Sequence, residues 1–255
     1  MCGIAGLYNP HRELVDWDAV FNLWKGIADR GRQASGMAWV DGEKGNWKIK
    51  VMKSARSPTE MEAFMGDVAR KSKRPILIIM HTRFATQGST TDNRNNHPVL
   101  SGDVVLTHNG VIWNDEEVFE ALGKVAEYDV DTEAIAAGLD KKGILWVSEE
   151  IMGSMSLSWF TKSNPSKLNL FTNGQNPLVF TRLEPDNGMI LYASCSWHLE
   201  ESGFPILQAI HAIPYVHYYT RDGNLMKSNL ESWQTDNDII PPQNPIRYGK
   251  KKRIF

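Results

Sequence analysis

Apolar residues fall along this chain in short blocks that follow two different periods. Gly3–Tyr8 and Ile76–Thr82 are nearly unbroken apolar runs of strand length, the pattern of strands buried on both faces. Between them, Val15, Ala19, Val20, Leu23, Trp24 and Ile27 recur at three-and-four spacing and predict a helix. Ser35–Val40 and Trp47–Met52 predict a hairpin whose turn is Asp41-Gly42, with Trp47, Ile49 and Val51 on one face. A second helix is predicted to begin at Ser57-Pro58, where serine caps and proline suits the first turn.

Ala85–Pro98 is rich in Gly, Ser, Thr and Asn and reads as a polar loop, the kind of segment that carries sites. Val104–His108 predicts a short strand ending at Asn109-Gly110. Asp115-Glu116-Glu117 opens a helix through Phe119 and Leu122, and a further short helix covers Asp131–Gly138. Ser156–Phe160, Leu168–Thr172, Leu178–Arg182 and Met189–Ala193 are spaced as consecutive strands. Several strands with a few helices give an α+β class and a single domain over residues 1–235. A weakly packed basic tail is expected over 236–255, with Pro241-Pro242 and Lys250-Lys251-Lys252-Arg253.

Composition narrows the chemistry. With 255 residues, 42% of them hydrophobic, the chain can bury a sizeable core. A formal charge of -2 gives no general attraction to nucleic acid or to an anionic membrane, so a small substrate fits better. No apolar run reaches the length of a membrane helix and none precedes Cys2, so a reduced, cytoplasmic protein is expected.

The chain opens Met1-Cys2-Gly3, and removal of Met1 would leave Cys2 with both a thiol and a free amine. An α-amino group titrates near ~8 and a thiol near ~8.5, so the amine can take the thiol proton near neutrality. Cys195, the second cysteine, reads as a buried neutral thiol. Polar clusters stand where strands give way to loops: Asp29-Arg30-Gly31, His81–Thr86, His108-Asn109-Gly110 and Asp131-Thr132-Glu133. Arg83 suits a bidentate grip on a carboxylate, or a structural salt bridge. Asp131 suits an ammonium group or a helix cap, and Asn109-Gly110 an oxyanion or a hairpin turn. His81, His97 and His108 lack metal-ligand spacing, so hydrogen-bonded structural roles and no metal are expected. The nine tryptophans, Trp113 and Trp197 among them, are expected in the core or in pocket walls.

Taken in order, these motifs resemble the class II glutamine amidotransferases, whose glutaminase domains are N-terminal-nucleophile hydrolases. The resemblance rests on Cys2-Gly3-Ile4-Ala5-Gly6, then Arg30-Gly31 with Gly36, His81-Thr82-Arg83-Phe84-Ala85-Thr86 and Asn95–Pro98. It continues through His108-Asn109-Gly110-Val111-Ile112-Trp113-Asn114, Asp131-Thr132-Glu133 and Gly153–Leu157. It implies a four-layer αββα sandwich, with Cys2 as nucleophile, its freed amine as base, and Asn109 and Gly110 as the oxyanion hole. It further implies that Arg83 holds the α-carboxylate of L-glutamine and Asp131 its α-ammonium. Thr86 and the backbone near Phe84 would line the pocket, and Arg30 would support the nucleophile. Some relatives have tryptophan and histidine in place of Phe84 and Gln87, which bears on how the pocket closes.

The implied reaction releases ammonia and glutamate through a γ-glutamyl thioester without a cofactor, and passes the ammonia to a synthetase or transferase on a separate chain. Two alternatives stand beside it: a hydrolase of another γ-glutamyl amide or small peptide, and a non-catalytic binding module that retains the fold.

Overall fold

The computed structural model describes residues 1–183, 188–206, 208–221 and 224–230, and the tail expected over 236–255 lies outside them. Among the described residues, thirteen strands form two antiparallel sheets. The first sheet contains β1 (Gly3–Tyr8), β2 (Ala34–Glu43), β3 (Asn46–Ser54), β4 (Leu77–Arg83), β9 (Val179–Arg182), β10 (Ile190–Ala193) and β11 (Ile210–His211). Its spatial order is β11-β9-β10-β1-β4-β2-β3. The second sheet contains β5 (Val99–Ser101), β6 (Val104–Ile112), β7 (Gly153–Thr161), β8 (Asn169–Thr172), β12 (Val216–Arg221) and β13 (Asn224–Asn229). Its order is β13-β12-β8-β7-β6-β5.

Side-chain alternation turns these sheets into layers. Along β1, β2, β4 and β10, the residues Ile4, Ala38, Val40, Leu77, Ile79, Ile190 and Tyr192 pack toward the second sheet, meeting Val105, Phe160, Leu168 and Leu170. The intervening Ala5, Leu7, Met37, Trp39, Ile78, Met80 and Leu191 face helices α1 (Trp17–Gly26) and α2 (Pro58–Arg70). The unbroken apolar runs of β1 and β4 follow from this burial on both sides. Across the second sheet, Leu106, Met155, Leu157 and Trp159 pack against α3 (Asp115–Leu122), α4 (Thr132–Lys141) and α5 (Ile144–Glu150). Three apolar seams therefore separate four layers, αββα, as the resemblance implies. The short α6 (Ser196–Glu200) follows β10 on the α1 side.

The helix starts obey their local chemistry. Asp16 caps α1 through its carboxylate, and Ser57 and Glu60 form a capping box on α2 with Pro58 in the first turn. The β2–β3 hairpin turns later than the sequence suggests. Asp41 and Gly42 remain in the ladder opposite Lys48 and Trp47, and the chain reverses at Lys44-Gly45, where Gly45 takes φ +90°. Asp41 is held in place by the Ser72 hydroxyl and by Lys50, so its turn propensity is overruled by tertiary partners. Asn109-Gly110 likewise is no turn, because β6 continues through it to Ile112 against an uninterrupted β7.

Candidate active site

Register brings the first motif residues together. Gly3 pairs with Thr82 and Ile4 with His81, so Cys2 and Arg83 lie opposite each other at the end of the β1–β4 ladder. Cys2 precedes Ile4 by two residues and Asn109 follows Val105 by four, so both point into the layer between the sheets. The thiol rests on the turn after β4: the Phe84 N–H reaches Cys2 Sγ at 3.4 Å, and Sγ lies 3.5 Å from the Phe84 carbonyl. Burial pushes the thiol pKa up, against the lowering effects of that N–H, the chain's amino terminus and Arg83; Asp131 adds a further rise. The Cys2 thiol, Arg83 and Asp131 therefore share one electrostatic environment.

The Arg30–Gly36 segment shapes the floor. Arg30 Nε donates to the Cys2 carbonyl at 2.8 Å, and its Nη1 reaches Cys195 Sγ at 3.5 Å. Cys195 is buried, and burial raises its thiol pKa, as expected of a neutral thiol. A Cβ on Gly31 would fall 2.5 Å from the carbonyl carbon of Arg83 and from the Phe84 nitrogen, so only glycine lets this segment press on the peptide that faces the thiol. Gln33 completes the support by accepting from the Ala85 N–H at 2.6 Å.

Arg83 is buried and ordered by the polar loop that follows it. Its guanidinium donates to Asn96 Oδ1 at 2.9 Å, to the Gly88 carbonyl at 3.0 Å and to the Gln87 carbonyl. These bonds use three of the five N–H donors that arginine offers, leaving two. Gln87 Oε1 accepts from the Asp131 N–H at 3.1 Å and so ties the loop to the start of α4. Thr86 is exposed and takes no part in this network, and the Phe84 side chain is half exposed.

Asn109 is fully buried, and neither its amide oxygen nor its amide nitrogen has a partner. Next to it, a Cβ on Gly110 would lie 1.8 Å from the Ser154 carbonyl oxygen and 2.5 Å from His108 Nε2, so this position has no room for a side chain. Asp131 does not cap α4; its Oδ2 accepts from the Ile112 N–H at 2.9 Å.

The proton arrangement around Asp131 follows from the neighbouring histidines. His108 Nε2 faces the Ser154 carbonyl at 3.1 Å and must donate to it, and burial keeps this ring neutral, so Nδ1 is an acceptor. The Thr132 hydroxyl, 3.0 Å from Nδ1, donates there. His97 Nε2, 2.9 Å from the same hydroxyl, then donates into it. The single Thr132 proton is then committed to His108, which leaves the 3.3 Å contact with Asp131 Oδ1 a weak one. His81 Nε2 donates to the His108 carbonyl at 3.1 Å, and its ring stacks on His97 at 3.9 Å. The three histidines are thus hydrogen-bonded inside the fold. Among the described residues, no cluster of His, Cys, Asp and Glu could hold a metal ion.

Sequence reasoning missed Gln33 and the contact of Arg30 with Cys195. Gln33 lay within the Arg30–Gly36 element, which was the available signal. Trp113 and Trp197 are exposed, not core residues; Trp197 Nε1 donates to Asp29 at 3.3 Å beside Arg30. Among the described residues, no helix is long and apolar enough to cross a membrane.

No protein-family model matches the chain. Over 158 residues it is 32% identical to the glutamine–fructose-6-phosphate aminotransferase of Chlorobaculum tepidum, covering 60% of this chain and 24% of that protein. The chain spans about a quarter of the length of the curated relatives it matches. Its fold matches glutamine phosphoribosylpyrophosphate amidotransferase from B. subtilis with a TM-score of 0.71 at 18% identity, over 90% of this chain and 49% of that one. It also matches a glutamine aminotransferase class-II domain protein from Silicibacter pomeroyi with a TM-score of 0.54 at 10% identity, over 89% of this chain and 99% of that one. The chain is thus homologous over 60% of its length to a glutamine amidotransferase, and it shares the paired-sheet fold of the solved glutamine amidotransferase domains.

Proposed function

We propose that the chain, once Met1 is removed, hydrolyses the side-chain amide of L-glutamine and passes the ammonia to an acceptor enzyme. The observation that carries this reading is the Asn109 amide, buried without a partner in the layer into which Cys2 points. An unsatisfied buried amide costs about 1–3 kcal/mol, a cost that an oxyanion in the reacting complex would offset.

In this mechanism the freed Cys2 amine takes the thiol proton, and the thiolate attacks the amide carbon of glutamine. The carbonyl oxygen becomes an oxyanion held by Asn109 and by the Gly110 backbone. The amine returns its proton to the leaving nitrogen, ammonia departs, and a γ-glutamyl thioester remains on Cys2. Water, deprotonated by the same amine, then attacks the thioester carbonyl, and glutamate leaves as the thiol is restored. The two remaining N–H groups of Arg83 would hold the substrate carboxylate and Asp131 Oδ1 its ammonium. Arg30 orients the nucleophile through the Cys2 carbonyl.

The half-exposed aromatic side chain of Phe84, on the turn that meets Cys2 Sγ, supports a protein surface seated over the site. We place that acceptor on a separate polypeptide whose docking raises glutaminase turnover. Cys2→Ala in the purified chain should abolish ammonia release from glutamine. Intact mass should report loss of Met1 and one covalent label from a glutamine-like electrophile. Full-rate turnover by chains that retain Met1 would overturn the mechanism, and a preference for γ-glutamyl peptides would replace the substrate. Equal turnover with and without the co-purifying chain would remove the docking role.

A further inference from the structure

Lys53 has no place in the motifs, yet it reaches the loop on which Arg83 depends. It lies on β3, the edge strand of the first sheet, opposite Gly36. Gly36 lacks a side chain where one could not fit: a Cβ there would stand 2.0 Å from the His97 carbonyl oxygen. The gap lets the Asn96–Pro98 stretch lie across β2. Into that space Lys53 extends its ammonium and donates to the carbonyls of Asn96 at 2.6 Å, Pro98 at 3.0 Å and Arg94 at 3.3 Å. An ammonium has three hydrogens, and this arrangement gives each an acceptor. Asn96, fixed through its backbone, turns its Oδ1 to Arg83 at 2.9 Å. The Lys53 carbonyl accepts from Asn93 Nδ2 at 2.7 Å and closes the attachment.

We infer that Lys53 is a positioning residue for substrate binding: its ammonium fastens the 84–98 loop to the sheet and so sets the guanidinium of Arg83. The inference rests on the glutaminase reading, in which Arg83 grips the substrate carboxylate. Lys53 stays too far along the chain of contacts to touch the reacting amide. Its loss should therefore weaken substrate binding more than chemistry.

The alkaline behaviour follows from the same surroundings. Burial, with Arg83 nearby, pushes the Lys53 pKa down to about 8, against the opposing pull of Asp92. Arg94 is paired with Asp92, and the neighbouring His81 and His97 are kept neutral by burial. The clamp is charged below that value and lost as pH rises through it.

The test uses Lys53→Met, which keeps length without charge, and Lys53→Arg, which keeps charge. Lys53→Met should raise KM for glutamine about tenfold with kcat within about twofold, and Lys53→Arg should return KM to within about threefold of the parent. Hydrogen exchange of the 84–98 amides should quicken in the methionine variant and not in the arginine variant. Unchanged exchange and KM in Lys53→Met, or an arginine variant as impaired as methionine, would overturn the inference. If the parent chain releases no ammonia, the glutaminase reading falls while the exchange measurement still decides Lys53. Should Lys53→Met fail to fold, the parent chain decides: loop protection should drop above about pH 8 and hold in Lys53→Arg, and equal profiles would refute it.

Discussion

Phe160 and Asn109 occupy the same inter-sheet layer, both without exposed surface, and they are kept there for opposite reasons. Around Phe160 the layer is filled by Val105, Leu168, Leu170 and Tyr218, and every neighbour gains from apolar contact. Beside Asn109, the His108 carbonyl meets the His81 ring, which stacks on His97, and the Asn109 amide itself has no partner. One end is closed by apolar contact, and the other carries polar groups, among them an amide without a partner.

Paired truncations would break or sharpen this contrast. Phe160→Ala should cost about 3–5 kcal/mol of unfolding free energy, with kcat for glutamine near that of the parent. Asn109→Ala should do the reverse: removing an unsatisfied buried amide leaves stability level or improved, and kcat falls about 10²–10³-fold. Urea unfolding with an ammonia assay measures both. An Asn109→Ala chain that unfolds early yet turns over normally would assign that amide to packing.

The two ends also differ in how far the sequence disclosed them. The strands of the apolar end were legible because β1 and β4 are buried on both faces and leave unbroken runs. The edge strands β11 and β13 were not, since half-exposed strands such as Asn224–Asn229 carry little alternation. At the polar end, motif order brought Cys2, Arg83, Asn109 and Asp131 into view. What stayed hidden were contacts between segments distant in sequence, such as Gln33 with Ala85 and Lys53 with Asn96. Local turn chemistry misled at Asp41-Gly42, and the strand expected to end at Asn109-Gly110 runs on, a continuing ladder deciding both places.

Thr132 offers a smaller test of the same end. Its hydroxyl takes the His97 proton and gives its own to His108, so Thr132→Val leaves both rings without that partner. The expected loss is about 2 kcal/mol of stability, with Thr132→Ser recovering most of it. Thermal unfolding of both variants would check this, and a valine chain as stable as the parent would remove the hydroxyl from the network.

Acid separates the two ends residue by residue, in steps of about 1.4 kcal/mol per pH unit for each ring. Burial pushes His81 down to about 3, and it lowers His97 and His108 as well. An unfolded histidine takes up its proton near ~6.5, so below that pH the unfolded chain binds protons that the folded chain refuses. The unfolding free energy should therefore hold steady above about pH 7 with respect to these rings and fall as pH drops, the His81 share continuing toward about 3. Replacing Phe160 by alanine removes no titrating group, so Phe160→Ala should shift the whole profile downward without changing its slope. A parent chain whose urea midpoint is the same at about pH 7 and about pH 5 would mean that these imidazoles are open to protonation in the fold.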